Sequence, residues 1–91
     1  PEIIIDGDGW LVKGSTDVHA LQQAVGVDDL VDEDEDIATV AGLVIAVNGH
    51  IPRPGDVLEL LPLQFTIVEA NDYRVDLVRV VKQRQYNDEE E

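Results

Sequence analysis

The tetrapeptide Asp6-Gly7-Asp8-Gly9 constrains this chain more than any other feature. Asp-Gly pairs accept the positive φ that tight two-residue turns require, so they mark the tip of a β-hairpin. Ile3-Ile4-Ile5 precedes the turn, and Trp10-Leu11-Val12-Lys13 follows it. The chain therefore opens with two paired strands, over residues 3–5 and 10–13.

Similar punctuation divides the rest. Gly14-Ser15-Thr16 ends the hairpin and supplies an N-cap oxygen, with Asp17 in the first turn of the helix that follows. Val18, Leu21, Ala24 and Val25 recur at helical spacing, and Gly26 stops that helix. Thr39 caps a second helix from Val40 to about Asn48, ended by Gly49 and by the prolines Pro52 and Pro54. Val40, Leu43, Val44 and Val47 make one apolar stripe, while Ala41, Ile45 and Ala46 cover most of the remaining circumference. A helix apolar nearly all round is buried on two sides: either it sits under the sheet with little exposed, or it contacts a partner. That stripe is the candidate interface. Strands over residues 57–61, 63–70 and 74–83 complete the chain, broken by Pro62 and by Asn71-Asp72. The apolar phase slips between Val75/Leu77 and Val78/Val80, which predicts a β-bulge or a strand covered on both faces. The order β-β-α-α-β-β-β predicts an α+β fold: a five-stranded mixed or antiparallel sheet with two helices on one face. Residues 1–83 form the domain, and residues 84–91 read as an acidic disordered tail.

Charge narrows the functions. The 91 residues carry 20 acidic and 6 basic side chains, for a net charge of −14. A nucleic-acid binder needs a Lys/Arg footprint, and so does a domain that docks on anionic lipid; this chain has neither. With no Cys there is no disulfide framework and no thiolate metal site. No apolar run approaches the ~18–20 residues that span a bilayer, so direct membrane insertion by this stretch is not expected. The chain starts at Pro1 without an initiator Met, which suggests a piece of a longer protein.

The acid is concentrated. Residues 28–36 hold seven carboxylates in nine positions. Clustered carboxylates can supply the convergent oxygens that Mg²⁺ or Ca²⁺ require, which makes Asp32, Glu33, Asp34, Glu35 and Asp36 the candidate metal ligands. The run is not an EF-hand: counted from Asp32, Ile37 stands where Gly belongs and Leu43 where the closing Glu belongs. Helix-capping acids in a solvated loop are the plainer explanation.

Other constellations carry less. Asp6 and Asp8 are explained by the turn itself. His19 and His50 lack ligand-spaced neighbours. Ser15, the only serine, lies beside Asp17 and His19 too locally to form a triad. Gly7, Gly9 and Gly14 do not have dinucleotide-fingerprint spacing. Arg53, held between two prolines, is a stiffly presented cation that could meet a carboxylate or a phosphate. Trp10 is expected to fill the core beside the hairpin.

Taken together, Gly9-Trp10-Leu11-Val12-Lys13-Gly14-Ser15-Thr16, Glu33-Asp34-Glu35-Asp36, Thr39-Val40-Ala41-Gly42-Leu43-Val44 and Gly49-His50-Ile51-Pro52-Arg53-Pro54-Gly55-Asp56 resemble the CorC/HlyC transporter-associated domain. So do Phe65-Thr66-Ile67-Val68-Glu69-Ala70 and the stretch from Arg74 to Val80. The resemblance implies a cytoplasmic C-terminal domain on the inner side of the plasma membrane, in proteins that also carry a membrane domain and CBS domains. Those proteins are associated with magnesium and cobalt efflux or are hemolysin-like. It also implies a fold similar to part of the FAD-binding domain of vanillyl-alcohol-oxidase-type flavoenzymes. The family brings no catalytic residues, so a non-enzymatic regulatory or accessory domain is expected, with no required cofactor. Its partners would be the CBS and membrane domains of the parent protein, or a second copy in a homodimer. The alternatives are a Mg²⁺- or Ca²⁺-sensing module using the acidic loop, and a flavin or nucleotide binder by fold relationship.

Overall fold

The computed structural model describes residues 1–83. Its order is β1 (Ile3–Asp6), β2 (Gly9–Lys13), α1 (Val18–Val25), α2 (Val40–Asn48), β3 (Val57–Leu60), β4 (Leu63–Ala70) and β5 (Val75–Lys82). The expected element order is present. The sheet is five-stranded, in the order β1-β2-β5-β4-β3. Every pairing is antiparallel, so the mixed alternative drops out. The expected tail, residues 84–91, lies outside the described residues.

Cross-strand rows explain the core. One row sets Ile3, Val12, Val78 and Ile67 side by side, and the next sets Trp10, Val80, Phe65 and Leu58. These rows share a face, and on it Val12, Ile67, Phe65, Val78 and Val80 are almost wholly buried. Both helices cover that face: Val18, Leu21 and Val25 of α1 join Val40, Leu43 and Val44 of α2 in the same cluster. Trp10 is half-buried and packs against it, as expected.

The phase slip is a bulge. Ile67 pairs with Val78, but the next partners are Glu69 with Leu77, leaving Val68 as an extra residue in β4. The register is regained between Ala70 and Val75, which leaves Asp76 as the extra residue in β5. Two opposed irregularities thus cancel, and Val75 returns to the buried face.

Helix entry differs from expectation at α1. The N-cap is Asp17, whose side chain accepts from His19 N–H at 2.7 Å. Thr16 is fully buried, and its N–H donates to the Lys13 carbonyl at 3.0 Å. That turn commits Thr16 to the strand-helix junction, so the cap falls one residue later. At α2 the expected Thr39 cap is present, accepting from Gly42 N–H at 3.1 Å. Gly26 and Gly49 end the helices at φ 73° and 91°.

The helices are stitched to the sheet through the β2 exit. The Gly14 carbonyl accepts from Ala41 N–H at 2.9 Å, and the Thr16 carbonyl accepts from Val40 N–H at 2.8 Å. Gly14 N–H donates to the Asp76 carbonyl at 2.9 Å. A Cβ on Gly14 would fall 2.0 Å from the Val75 carbonyl oxygen and 3.2 Å from the Ala41 Cβ. Backbone cannot yield as a flexible side chain can, so Gly14→Ala should destabilise by about 3 kcal/mol, the upper range for overpacking. Gly49→Ala meets nothing within 4 Å and carries only its positive φ, so it should cost about 1–2 kcal/mol. Urea titration of both variants checks the order; equal midpoints would show that the junction tolerates a methyl group.

Candidate functional site

The residues that sequence reasoning singled out do not converge on one centre. Asp32, Glu33, Asp34, Glu35 and Asp36 are all exposed along the α1–α2 loop. Their local bonds are turn bonds: Glu35 N–H donates to the Asp32 carbonyl at 3.0 Å, and Glu35 Oε1 accepts from Asp32 N–H at 3.2 Å. Among the described residues, no three acidic or His side chains form a group that could hold a metal. The loop is nonetheless tethered. Val27 and Leu30 insert into the core, and Leu30 N–H donates to Gln22 Oε1 at 2.9 Å. Asp29 takes a left-handed conformation, φ 62°, between those two anchors.

The candidate interface stripe needs correction. Val40, Leu43 and Val44 are at most 2% exposed, because the sheet and α1 of this same chain cover them. They are core residues that no partner can reach. Only Val47, 40% exposed, remains available for contact.

Asp6 and Asp8 are joined by the guanidinium of Arg79. Arg79 of β5 reaches across β2 to both, with Nε 2.9 Å from Asp6 Oδ2 and Nη2 2.8 Å from Asp8 Oδ1. Nη2 also donates to the Asp6 carbonyl at 2.8 Å. The bond from Arg79 holds the Asp8 carboxyl below the ordinary range, and the carboxylates raise the guanidinium in turn. Arg53 projects from its proline turn, where its backbone N–H donates to Asp56 Oδ2 at 2.9 Å. Among the described residues its side chain makes no ion pair. His50 stays local, its carbonyl accepting from Asn48 Nδ2 at 2.9 Å. His19 and Ser15 are exposed.

Four features were not read from the sequence. Lys82 of β5 donates to the Val25 carbonyl at 3.1 Å, a cation on the C-terminal end of α1 supplied by tertiary structure. The outer sheet face, opposite the helices, carries Ile4, Leu11, Arg79, Thr66 and Val57 in one row. Ile4 is 48% and Val57 53% exposed. The signal for this face was the unbroken Ile3-Ile4-Ile5 run, since a strand polar on one side would alternate. Last, a groove of about 330 Å³ separates the acidic loop from the end of α2 and from Leu60. A wider hollow, about 580 Å³, opens at the bulge end of the sheet beside Gly14 and the Arg74–Asp76 ion pair.

The Asp8 shift fixes a pH dependence. A depressed folded pKa contributes stability above the unfolded value, ~3.9, and that contribution fades as pH falls through the lower folded value. Asp8→Asn should therefore lower the thermal midpoint at neutral pH. The gap to the unaltered chain should close below pH ~4. A gap that persists into stronger acid would mean that the Arg79 bond does not act through charge.

The family described as "CorC_HlyC: Transporter associated domain" matches residues 3–84. The chain is 70% identical over its whole length to the UPF0053 inner membrane protein YoaE of Escherichia coli (strain K12), and spans 17% of that protein's length. It is 28% identical over 71 residues to the magnesium and cobalt efflux protein CorC of the same strain, covering 78% of this chain and 23% of CorC. Among solved structures it is similar to the transporter associated domain CorC_HlyC from Nitrosomonas europaea, with a TM-score of 0.82 and 28% identity, covering 91% of this chain and 98% of that one.

Proposed function

The chain belongs to the CorC_HlyC transporter-associated domain family, and from that premise we propose that it is a non-enzymatic accessory domain that regulates a divalent-cation efflux protein by docking. The observation that carries this reading is the uncovered outer sheet face. A chain with a net charge of −14 leaves Ile4 and Val57 half-exposed on a face that also holds Leu11 and Val81. The two exposed aliphatic side chains stand on opposite edge strands, with Arg79 and Thr66 between them, so the face offers apolar contacts around a polar centre, the mixed composition of a docking surface. The relatives supply context: this sequence corresponds to a sixth or so of a longer inner membrane protein, and a more distant relative is named for magnesium and cobalt efflux.

The docking partner in this reading is the remainder of the same polypeptide, its CBS and membrane domains, at the cytoplasmic side of the inner membrane. The domain would bias the transporter between conformations by binding one of them better, which is the only way a docked module can shift such an equilibrium. A groove of mixed character at the bulge does not by itself provide chemistry, so the effect is one of contact.

The test is cation export from cells that carry the full-length protein with and without residues 3–83. Magnesium and cobalt export should change on deletion while the truncated protein still inserts into the membrane. Ile4→Glu combined with Val57→Glu should reproduce the deletion, because both side chains are at least 48% exposed and the fold does not need them. Unchanged export on deletion would remove the regulatory reading. Calorimetric heat from Mg²⁺ or Ca²⁺ at millimolar ion, lost in Asp32→Asn, would instead favour direct sensing by the acidic loop.

A further inference from the structure

The groove beside the acidic loop has an unusual construction. Its accessible floor is aliphatic: Ala46 and Val47 come from α2, Leu60 from β3 and Ile37 from the loop, with the core residues Leu30 and Leu43 beneath them. Its rim is acidic, formed by Asp29, Asp32 and Glu35. These carboxylates are all exposed, and among the described residues none is in an ion pair. The ion pairs present use Asp6, Asp8 and Asp76 instead, at the other side of the sheet and in the β5 hairpin. Among the described residues, no Lys or Arg lines the groove.

Two costs are therefore left standing in the same place. Val47 remains 40% exposed at the edge of an aliphatic floor, and seven carboxylates lie along one short loop that no described Lys or Arg pairs with. Like charges held close in a folded loop repel one another, and a cationic partner relieves that repulsion while it gains affinity. The loop cannot relieve it by spreading, because Val27 and Leu30 pin it to the core.

We infer that this groove docks a basic amphipathic protein segment, one that places aliphatic side chains on the floor and Lys or Arg against the Asp29, Asp32 and Glu35 rim. The inference rests on the docking reading above and adds a second surface with a defined chemistry. About 330 Å³ accommodates a short aliphatic anchor, at the small end of ligand-sized clefts, ~300–1,000 Å³. Complementary rim charge then sets the approach and the salt dependence. A second copy of this chain is a poor occupant, since it brings a net charge of −14 to an acidic rim.

The probe is a synthetic helical peptide with leucines on one face and lysines on the other, titrated into the ¹⁵N-labelled chain. A scrambled peptide of the same composition controls for bulk charge attraction. The ordered peptide should shift amides at residues 29–37, 43–47 and 60, and bind at least tenfold more tightly than the scrambled one. Val47→Glu should weaken it at least tenfold with the circular dichroism spectrum unchanged. The triple variant Asp29→Asn, Asp32→Asn and Glu35→Gln should flatten the salt dependence. It preserves the shape of the loop, because Asn tolerates the left-handed conformation and Gln still accepts from Asp32 N–H. Equal binding of the scrambled peptide, shifts centred elsewhere, or indifference to Val47→Glu would overturn the inference. So would concentration-dependent self-association abolished by Val47→Glu, which would assign the groove to a homodimer. Failure here is separable from failure of the regulatory reading. Full-length protein carrying Val47→Glu, if its export still depends on the domain, would discard the groove and leave docking through the outer sheet face intact.

Discussion

The backbone contact on which this domain depends is the one made by Gly14. Its carbonyl takes a hydrogen from α2, its N–H gives one to β5, and no Cβ can fit between them. Two residues on, the Thr16 carbonyl receives the first N–H of α2. A helix of nine residues has little stability of its own. These bonds occupy N–H groups that would otherwise be unpaired at the start of α2, and they fix where the helix crosses the sheet. The position of α2 then decides that Val40, Leu43 and Val44 fall into the core. It also decides that Val47, one turn further on, overhangs β3.

That same geometry separates what the sequence could tell from what it could not. Turn chemistry was legible because it is local: Asp6-Gly7, Gly26, Thr39, Gly49 and Asn71 each do what their own backbone preferences dictate. The bulge was legible as a broken alternation between Val75 and Val78. The capping residue of α1 was misplaced because Thr16 is held at the junction by a turn bond to Lys13 and, through its carbonyl, by the N–H of Val40, a tertiary partner that no local rule reveals. The stripe on α2 was correctly seen as apolar and incorrectly given to a partner. Periodicity reports that a face is covered, not by which chain. Cross-strand neighbours such as Arg79 with Asp6 and Asp8, or Lys82 with the end of α1, lie more than fifty residues apart in sequence. They follow from strand order, which the order of elements alone left open.

Charge in this domain is sorted as well as abundant. The described cations are largely committed to architecture. Arg79 binds the hairpin turn to the central strand, Arg74 pairs beside the bulge, and Lys82 sits on a helix end. The helix-connecting loop receives none of them. Exposed pairs of this kind contribute little to stability individually. Their placement matters more, because among the described residues it leaves the helix-connecting loop as the stretch where negative charge is most concentrated.

Strand order has a temporal side. The middle of the sheet is occupied by β5, the last strand in the described chain, and β5 joins the N-terminal hairpin to the β3–β4 pair. During vectorial synthesis, then, the β1–β2 ribbon and both helices emerge with nothing to close upon. Their apolar faces stay unsheltered until nearly the whole domain has left the ribosome. Such long-range closure favours late, all-or-none folding over stepwise growth. It follows that a stop codon ahead of Val75 would not leave a trimmed domain: it would leave two unmatched sheet fragments and the sticky helical layer between them.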